Sequence, residues 1–160
     1  MPKLTIDGVN DFILRAEHMA NGFSAVASAA LYAGAGVVAD AIKAEIRNLP
    51  EEKGYLKEGD RRNVVTPDEK QDLLEGVGIA HFKHENGNID TAVGFDGYTR
   101  HETDKYPSGV PLPLIARAIE SGSSVRQKHP FVRKAAKSCE TAAKAAMEAA
   151  ARKKFEELSK

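Results

Sequence analysis

The sequence predicts an α+β protein in which a small antiparallel sheet packs against a long helix in the N-terminal half and a long C-terminal helix. Two alanine-rich stretches with helical spacing lie towards the two ends of the 160-residue chain. Between them an Asn-Gly pair separates two short strand-like runs, which is typical of a β-hairpin. A chain of this length is typical of one domain, and we expect residues 1–160 to form a single domain.

Composition narrows the class of protein. Lys+Arg and Asp+Glu both number 23, so the formal net charge is zero. A general nucleic-acid binder usually carries a basic excess, whereas zero net charge leaves little repulsion against self-association.

The single cysteine, Cys139, excludes an intrachain disulfide. The N-terminus lacks a signal-like apolar stretch, and polar residues and glycines interrupt the apolar region 23–42, so we expect neither a leader nor a membrane span.

Two helices are predicted before residue 50. Apolar residues recur at helical spacing over residues 9–19, where Asp7 could cap the first helix and Asn21-Gly22 would end it. A second helix should cover residues 24–47 and end before Leu49-Pro50, because the residue before proline is pushed out of the α region. Its expected buried stripe is Val26, Ala30, Val37, Ala41 and either Ile42 or Ile46.

The run Ala33-Gly34-Ala35-Gly36 is unusual inside a helix. Each glycine costs roughly 1 kcal/mol relative to alanine at such a position. Two interpretations stay open: close approach of a neighbouring element, or a local bend in the helix.

Two long polar loops are predicted, over about residues 50–72 and 97–113. Charged residues dominate the first, and glycines and prolines punctuate the second. Loops longer than about 15 residues are uncommon in a compact domain unless they have a function, and contact with a partner protein would be such a function.

The hairpin prediction rests on Asn86-Gly87, since a two-residue type I′ turn needs positive φ at both central residues. This turn predicts one continuous register through residues 76–84 and 89–95. An apolar face would then combine Phe82, Val93 and Phe95, while Val77 and Ile79 would lie on the polar face. The predicted opposed pairs are Glu85 with Asn88, His84 with Ile89, Lys83 with Asp90, Phe82 with Thr91, Ala80 with Val93, and Gly78 with Phe95.

The C-terminal part should contain a short helix and a long one. The short helix covers residues 114–120 and is broken at Gly122. Pro130 suits the first turn of the long helix, which runs to about Leu158. Its expected buried stripe is Phe131, Ala135, Cys139, Ala142, Ala146 and Ala149.

Residues with reactive side chains form no pattern that favours catalysis. On a strand, His81 and His84 would point to opposite faces and could not share a metal. Cys139 on an apolar stripe favours a buried small residue over a nucleophile. We therefore predict no catalytic, metal-binding or cofactor-binding residues and no enzymatic activity. The C-terminal helix carries basic residues that could form a nucleic-acid-binding stripe, but glutamates on the same helix offset their charge, which favours a solvated face. The basic residues are Arg133, Lys134, Lys137, Lys144, Arg152, Lys153 and Lys154.

Three short stretches resemble the tail-completion or head–tail joining proteins of long-tailed bacteriophages, often called virion morphogenesis proteins. The first two are Ile6-Asp7-Gly8-Val9-Asn10-Asp11-Phe12 and Asp72-Leu73-Leu74-Glu75-Gly76-Val77-Gly78-Ile79. The most specific is Ile115-Ala116-Arg117-Ala118-Ile119-Glu120-Ser121-Gly122-Ser123 followed by His129-Pro130-Phe131-Val132-Arg133-Lys134-Ala135.

The sequence departs from that family at three points. Pro50 is followed by Glu51-Glu52-Lys53-Gly54 where the family has an aspartate–threonine–glycine turn, Ser121 replaces an aromatic residue, and Lys134 replaces a proline.

The resemblance implies a virion protein of the neck, at the head-proximal end of the tail. Its partners would be further copies of itself in a ring, expected to be a hexamer, and the adjoining connector and tail proteins. The expected role is structural, with no cofactor, no membrane and no specific nucleic-acid binding, although such a ring could line a DNA channel. Assembly would take place in the host cytoplasm. A tail terminator, a head-closure protein, a small nucleic-acid-binding protein and an unrecognised enzyme stay open as alternatives.

One segment is the expected docking surface. Phe131 and Val132 should pin the final helix to the core, while residues 122–129 project as a contact loop; a mobile surface loop is the alternative. The predicted partner-binding residues are Glu120, Gly122, Arg126, Lys128 and His129.

Overall fold

The computed structural model describes residues 9–51, 65–85, 88–124 and 126–158. Within those ranges the chain forms four helices and four short strands, and the long first and last helices pack against each other and the strands. The α+β class is therefore confirmed. In chain order the elements are α1 (Val9–Arg47), α2 (Pro67–Gly76), β1 (Val77–Ile79), β2 (Lys83–Glu85), β3 (Asn88–Asp90), β4 (Val93–Phe95), α3 (Leu112–Ser121) and α4 (Phe131–Leu158).

The helices α1 and α4 form an antiparallel pair. Glu45 of α1 binds Lys134 of α4 at 2.8 Å, and Gly34 lies against Met147 further along both helices. A Cβ atom on Gly34 would stand 2.6 Å from Cγ of Met147, whereas one on Gly36 would meet nothing within 4 Å. Close approach therefore explains the first of these two glycines and not the second.

The predicted helix break at Asn21-Gly22 is wrong, because α1 continues through both residues as one helix of 39 residues. A glycine inside a helix costs only about 1 kcal/mol, which packing can offset. A Cβ atom on Gly22 would stand 3.7 Å from Leu158, so α4 still accompanies α1 at this point. The proposed Asp7 cap lies outside the described residues.

The core contains a different stripe of α1 from the predicted one. Ile42 and Ile46 are buried as predicted, but Val26, Ala30 and Val37 are only half-buried and lie outside the core cluster, and Ala41 packs at its edge. The face of α1 that enters the core is determined by contacts with α4 and the sheet. The spacing of apolar residues within α1 does not show where those contacts lie. The buried stripe of α1 is Ala35, Ala39, Ile42 and Ile46, and buried Leu49 follows it just after the helix ends.

The stripe of α4 was predicted correctly in its first half. Phe131, Ala135 and Cys139 are buried, and the series continues with Ala143 at the same spacing of four residues. The predicted series moved instead to Ala142, which is exposed, then to half-buried Ala146 and exposed Ala149.

The hairpin register is correct near its turn and wrong by one residue further in. Lys83 pairs with Asp90, His84 with Ile89 and Glu85 with Asn88, as predicted. The inner pairs are instead Val77 with Phe95, Gly78 with Gly94 and Ile79 with Val93. Asn86-Gly87 itself lies outside the described residues.

The shift arises between the two strand pairs, where residues 80–82 oppose only residues 91–92. Thr91 Oγ1 donates to the carbonyl of Ala80 at 2.7 Å, and the backbone N–H of Ala80 donates to Ala92 at 2.8 Å. One extra residue exchanges the two faces of a strand. Val77 and Ile79 therefore join Val93 and Phe95 at the core, whereas Phe82 lies outside the core cluster, so the predicted apolar face of Phe82, Val93 and Phe95 is wrong.

The predicted polar loop of residues 50–72 contains the start of a helix. The helix α2 begins at Pro67, where Thr66 Oγ1 accepts from the N–H of Glu69 at 3.1 Å and Glu69 accepts in return from the N–H of Thr66. The sequence Thr66-Pro67-Asp68-Glu69 carries this capping-box signature. Residues 52–64 lie outside the described residues.

Removing the capping hydroxyl gives the first testable prediction. Thr66→Ala should lower the free energy of unfolding by about 1 kcal/mol, because the N–H of Glu69 loses its acceptor. Thr66→Ser keeps the oxygen and should stay within a few tenths of a kcal/mol of the wild type. Urea denaturation of both variants measures the difference; equal stability of the two would show that the cap does not contribute.

The second predicted loop is compact and ends slightly earlier than expected, because α3 begins at Leu112. Buried Thr99 organises the loop: its backbone N–H donates to Val110, and its hydroxyl accepts from the N–H of Val110 at 2.9 Å. Gly109 has φ of 91°, and a Cβ atom there would clash with the Thr99 carbonyl. At the other end of α3, Gly122 ends the helix as predicted, with φ of 77°.

Candidate interaction site

The two loops on either side of α3 converge on α2. Two acidic residues of α2, Glu69 and Asp72, are buried, and each binds an arginine from one of these loops. Arg100 comes from the loop before α3, and Arg126 comes from the loop after it. The helix α2 therefore fixes the positions of both loops, and we call these four residues the α2 clamp.

The ion pair between Arg126 and Glu69 is the most enclosed part of the α2 clamp. The guanidinium Nη2 lies 2.7 Å from Glu69 Oε1, and the two side chains are 8% and 10% exposed. The prediction that Arg126 projects towards a partner is therefore wrong. A guanidinium in the interior needs a counter-charge, and Glu69 supplies it from 57 residues away in the sequence.

The pair of Arg100 and Asp72 holds the other loop. Asp72 accepts from Nε of Arg100 at 2.8 Å and from the Arg100 backbone N–H at 3.0 Å. Arg100 also reaches Glu75 on the surface at 3.3 Å. A hydrogen bond from Gln71 and the charge of Arg100 hold the pKa of Glu75 below its ordinary value. These contacts attach the loop along one face of α2.

Glu120 has an internal role at the start of α4. Its carboxylate accepts from the backbone N–H groups of Val132 at 2.8 Å and Arg133 at 3.3 Å, and it binds Arg133 Nε at 3.1 Å. A carboxylate suits this place because the N-terminus of a helix carries unpaired N–H groups and a partial positive charge. The structure thus gives Glu120 an internal role that was not predicted, and partner binding by this residue stays a prediction.

Apart from Val125, which lies outside the described residues, the rest of the predicted contact loop folds back on itself at the surface. The backbone N–H of Ser123 donates to the Arg126 carbonyl at 2.9 Å. A Cβ atom on Gly122 would stand 3.3 Å from Cβ of Lys128, so the turn closes on itself. Residues 121–123 and 126–128 line a shallow polar groove here, and within it Gln127 and Lys128 are exposed.

His129 lines a different groove from Gly122 and Lys128. Its backbone N–H donates to the Ile119 carbonyl at 2.7 Å, which anchors the chain just before α4. The half-buried residue lines a second shallow groove, between the end of α1 and the start of α4; the other lining residues are Glu45, Asn48, Leu49, Pro50, Pro130, Phe131 and Lys134. The predicted partner-binding residues are thus divided between two surface grooves and the interior of the protein.

Phe131 anchors α4 as predicted. Its side chain is 2% exposed and meets the ring of Phe95 edge-on, with 5.9 Å between the ring centroids. Val132 packs half-buried at the edge of the same core. The loop before α4 is therefore held at one end by this aromatic contact and in its middle by Arg126.

Sequence reasoning missed the acidic half of the α2 clamp and Arg100. The capping-box signature at Thr66 could have located α2, but no local signal pairs Glu69 or Asp72 with an arginine far along the chain.

Among the described residues, no three His, Cys, Asp or Glu side chains gather in a group that could hold a metal. His81 and His84 are both exposed, and His101 binds Asp68 at 3.1 Å on the surface. Cys139 is buried on α4, and its thiol lies 3.7 Å from the Ala136 carbonyl. The ion pairs and hydrogen bonds described at this site hold the loops on either side of α3 in place.

No family model, curated protein or solved structure matches the chain.

Proposed function

We propose that this protein is a structural component of a tailed bacteriophage virion, and that it forms a ring at the neck that completes the tail and joins it to the head. The proposal starts from the segment that most resembles tail-completion proteins, residues 115–123 and 129–135. Its partners would be further copies of the chain and the adjoining connector and tail proteins.

The observation that carries the proposal is the construction of this segment. Its shared positions have geometric roles: Glu120 caps α4, Gly122 permits the turn, and Phe131 locks the start of the helix. Together they hold a short surface turn on a rigid frame. A neck protein acts through surfaces that match its neighbours, and rigid presentation of a loop suits that role.

The α2 clamp supports the same function. Loops are usually the least ordered parts of a domain, but here the loops before and after α3 are both tied to one helix by ion pairs whose carboxylates are buried. Fixing a loop before assembly reduces the entropy lost when a partner binds. The exposed residues Gln127 and Lys128 then offer polar contacts from a fixed position.

The nucleic-acid alternative receives less support from α4. Four basic side chains of this helix bind carboxylates, which reduces the positive field available to phosphates. In the exposed pair of Lys144 and Glu140, the hydrogen bond between them raises the pKa of the lysine and lowers that of the glutamate. DNA affinity that fell steeply with added salt would instead favour this alternative.

Charge reversal at Lys128 tests the docking surface. Lys128→Glu should leave the protein folded, because this side chain is exposed, yet reduce the yield of infectious particles at least about tenfold by removing a contact at the joint. Lys137→Glu is the matched control, on the exposed surface of α4. Complementation of a phage lacking this gene, with electron microscopy of lysates, measures the result.

Free heads and unjoined tails should accumulate with Lys128→Glu and not with the control. If heads and tails joined normally in both variants, the loop would not be the docking surface. Normal virions without any copy of this protein would overturn the proposed function as a whole.

A further inference from the structure

The dipeptide Asp96-Gly97 joins the end of β4 to the loop before α3. Asp96 is exposed, and its backbone N–H donates to the carbonyl of Gly76 at 2.9 Å. The carbonyl of Gly97 accepts from the N–H of Leu112 at 3.0 Å. The dipeptide is therefore a junction that connects the ends of α2 and β4 with the start of α3.

A contact inside this dipeptide points to covalent chemistry. The backbone N–H of Gly97 donates to Oδ1 of Asp96, in the side chain of the preceding residue, at 2.8 Å. Among the described residues, no backbone carbonyl accepts from this N–H. Because Oδ1 is bonded to Cγ, the contact holds the Gly97 nitrogen next to the carboxyl carbon. Groups held together in this way need little further ordering before they react.

Glycine makes ring closure easier at this position. Gly97 has φ of 96°, which residues with side chains rarely adopt, and it has no side chain to shield the nitrogen. Among the described aspartates, Asp96 alone precedes a glycine. Asp90, for example, precedes a β-branched threonine, and Asp72 lies inside α2, where N–H groups are held by the helix. Asp7-Gly8 has the same sequence but lies outside the described residues.

We propose that Asp96-Gly97 is a site of spontaneous isoaspartate formation. The Gly97 nitrogen bonds to Cγ of the protonated Asp96 side chain, and the amide proton leaves with the carboxyl hydroxyl as one molecule of water. The product is a cyclic succinimide. Water then adds to one of its two carbonyls: breaking the nitrogen's bond to Cγ restores aspartate, and breaking its bond to the main-chain carbonyl carbon leaves isoaspartate. Water lost in the first step is regained in the second, so the mass does not change.

Isoaspartate changes the junction. The chain then runs through Cβ and Cγ, which lengthens the backbone by one carbon, and the former main-chain carbonyl becomes a free carboxylate. In the unmodified chain the Asp96 carbonyl lies so close to Gly76 that a Cβ atom there would stand 2.7 Å from its oxygen. A junction packed this closely cannot take up an extra carbon without moving. The modification should therefore release the start of the loop that carries Arg100.

Ageing of the purified protein tests the modification. The wild-type chain and a synthetic peptide of residues 93–99 are incubated side by side in warm neutral buffer. The folded protein should form isoaspartate at Asp96 at least as fast as the peptide, because the contact with Gly97 holds the reacting atoms together. Endoproteinase Asp-N cleaves before aspartate but not before isoaspartate, so loss of cleavage between Phe95 and Asp96 measures the product.

A matched variant and mass spectrometry assign the product to Asp96. In Asp96→Glu the charge is kept, but the longer side chain must close a larger ring, so at least about tenfold less isomerised product should form. Fragmentation of the tryptic peptide 84–100 locates the product. This peptide also contains Asn86, but deamidation of an asparagine raises the mass, whereas isomerisation of Asp96 does not. Circular dichroism checks that the variant is folded.

Limited trypsin digestion tests the effect on the loop. Arg100, whose side chain is held by Asp72, provides a cleavage site within the loop. The isoaspartate fraction, separated by chromatography, should be cleaved after Arg100 at least about threefold faster than unaged protein, because local opening governs proteolysis. Aged Asp96→Glu should keep the original rate of cleavage.

Three results would overturn the inference. Slower isoaspartate formation at Asp96 in the folded chain than in the peptide would show that the fold protects this dipeptide. An equal amount of product in Asp96→Glu would place the reaction at another residue. An unchanged rate of cleavage after Arg100 in the isoaspartate fraction would exclude release of the loop. These measurements do not depend on the proposed function.

Discussion

Replacing Phe131 with alanine should lower the free energy of unfolding by about 3–5 kcal/mol. The side chain is 2% exposed, and its ring packs edge-on against Phe95 between α4 and the sheet. Truncation therefore removes both the burial of a phenylalanine and an aromatic contact, and it leaves a cavity where α4 begins. Denaturation monitored by circular dichroism measures the change.

The matched control is Phe155→Ala, the same substitution on the same helix. Phe155 is 58% exposed, so its truncation should cost no more than about 1 kcal/mol. If the two variants lost stability equally, Phe131 would not be the anchor of α4, and the frame proposed for the contact loop would have to be abandoned.

Replacing Arg126 with methionine should lower the free energy of unfolding by about 3 kcal/mol or more. Methionine keeps the length of the side chain but removes the charge, which leaves the Glu69 carboxylate enclosed beside an apolar group. That carboxylate must keep its charge without the arginine, take up a proton or force the loop open, and each of these outcomes costs free energy.

A double-mutant cycle separates the pair from its surroundings. Glu69→Gln keeps an oxygen that can accept from the N–H of Thr66, so the capping box survives while the charge is lost. The double variant should be more stable than the sum of the two single effects predicts, by about 1–3 kcal/mol. Strict additivity would show that Arg126 and Glu69 do not stabilise each other.

The Arg126 result also affects how docking is tested. Charge reversal at Arg126 would unfold the loop as well as change its surface, so loss of particle assembly would have two explanations. Lys128 avoids this difficulty, because its side chain is exposed and only the surface should change.

Local chemistry determined most element types from the sequence alone. Leu49-Pro50 ends α1, Gly122 ends α3 and Pro130 precedes α4, because proline and glycine restrict or permit backbone angles wherever the chain places them. The outer pairs of the hairpin followed equally from the Asn-Gly turn. The same reasoning could have found α2 from its capping box.

Only the tertiary structure decided which apolar residues form the core and which charges are buried. The inner hairpin register changes with one extra residue at positions 80–82, and the predicted and observed buried stripes of α1 both have helical spacing, so neither outcome is encoded locally. The pairing of Arg126 with Glu69 joins residues 57 positions apart. Such contacts depend on how helices and strands pack in space, and a pattern within one segment carries no information about the neighbour that covers it.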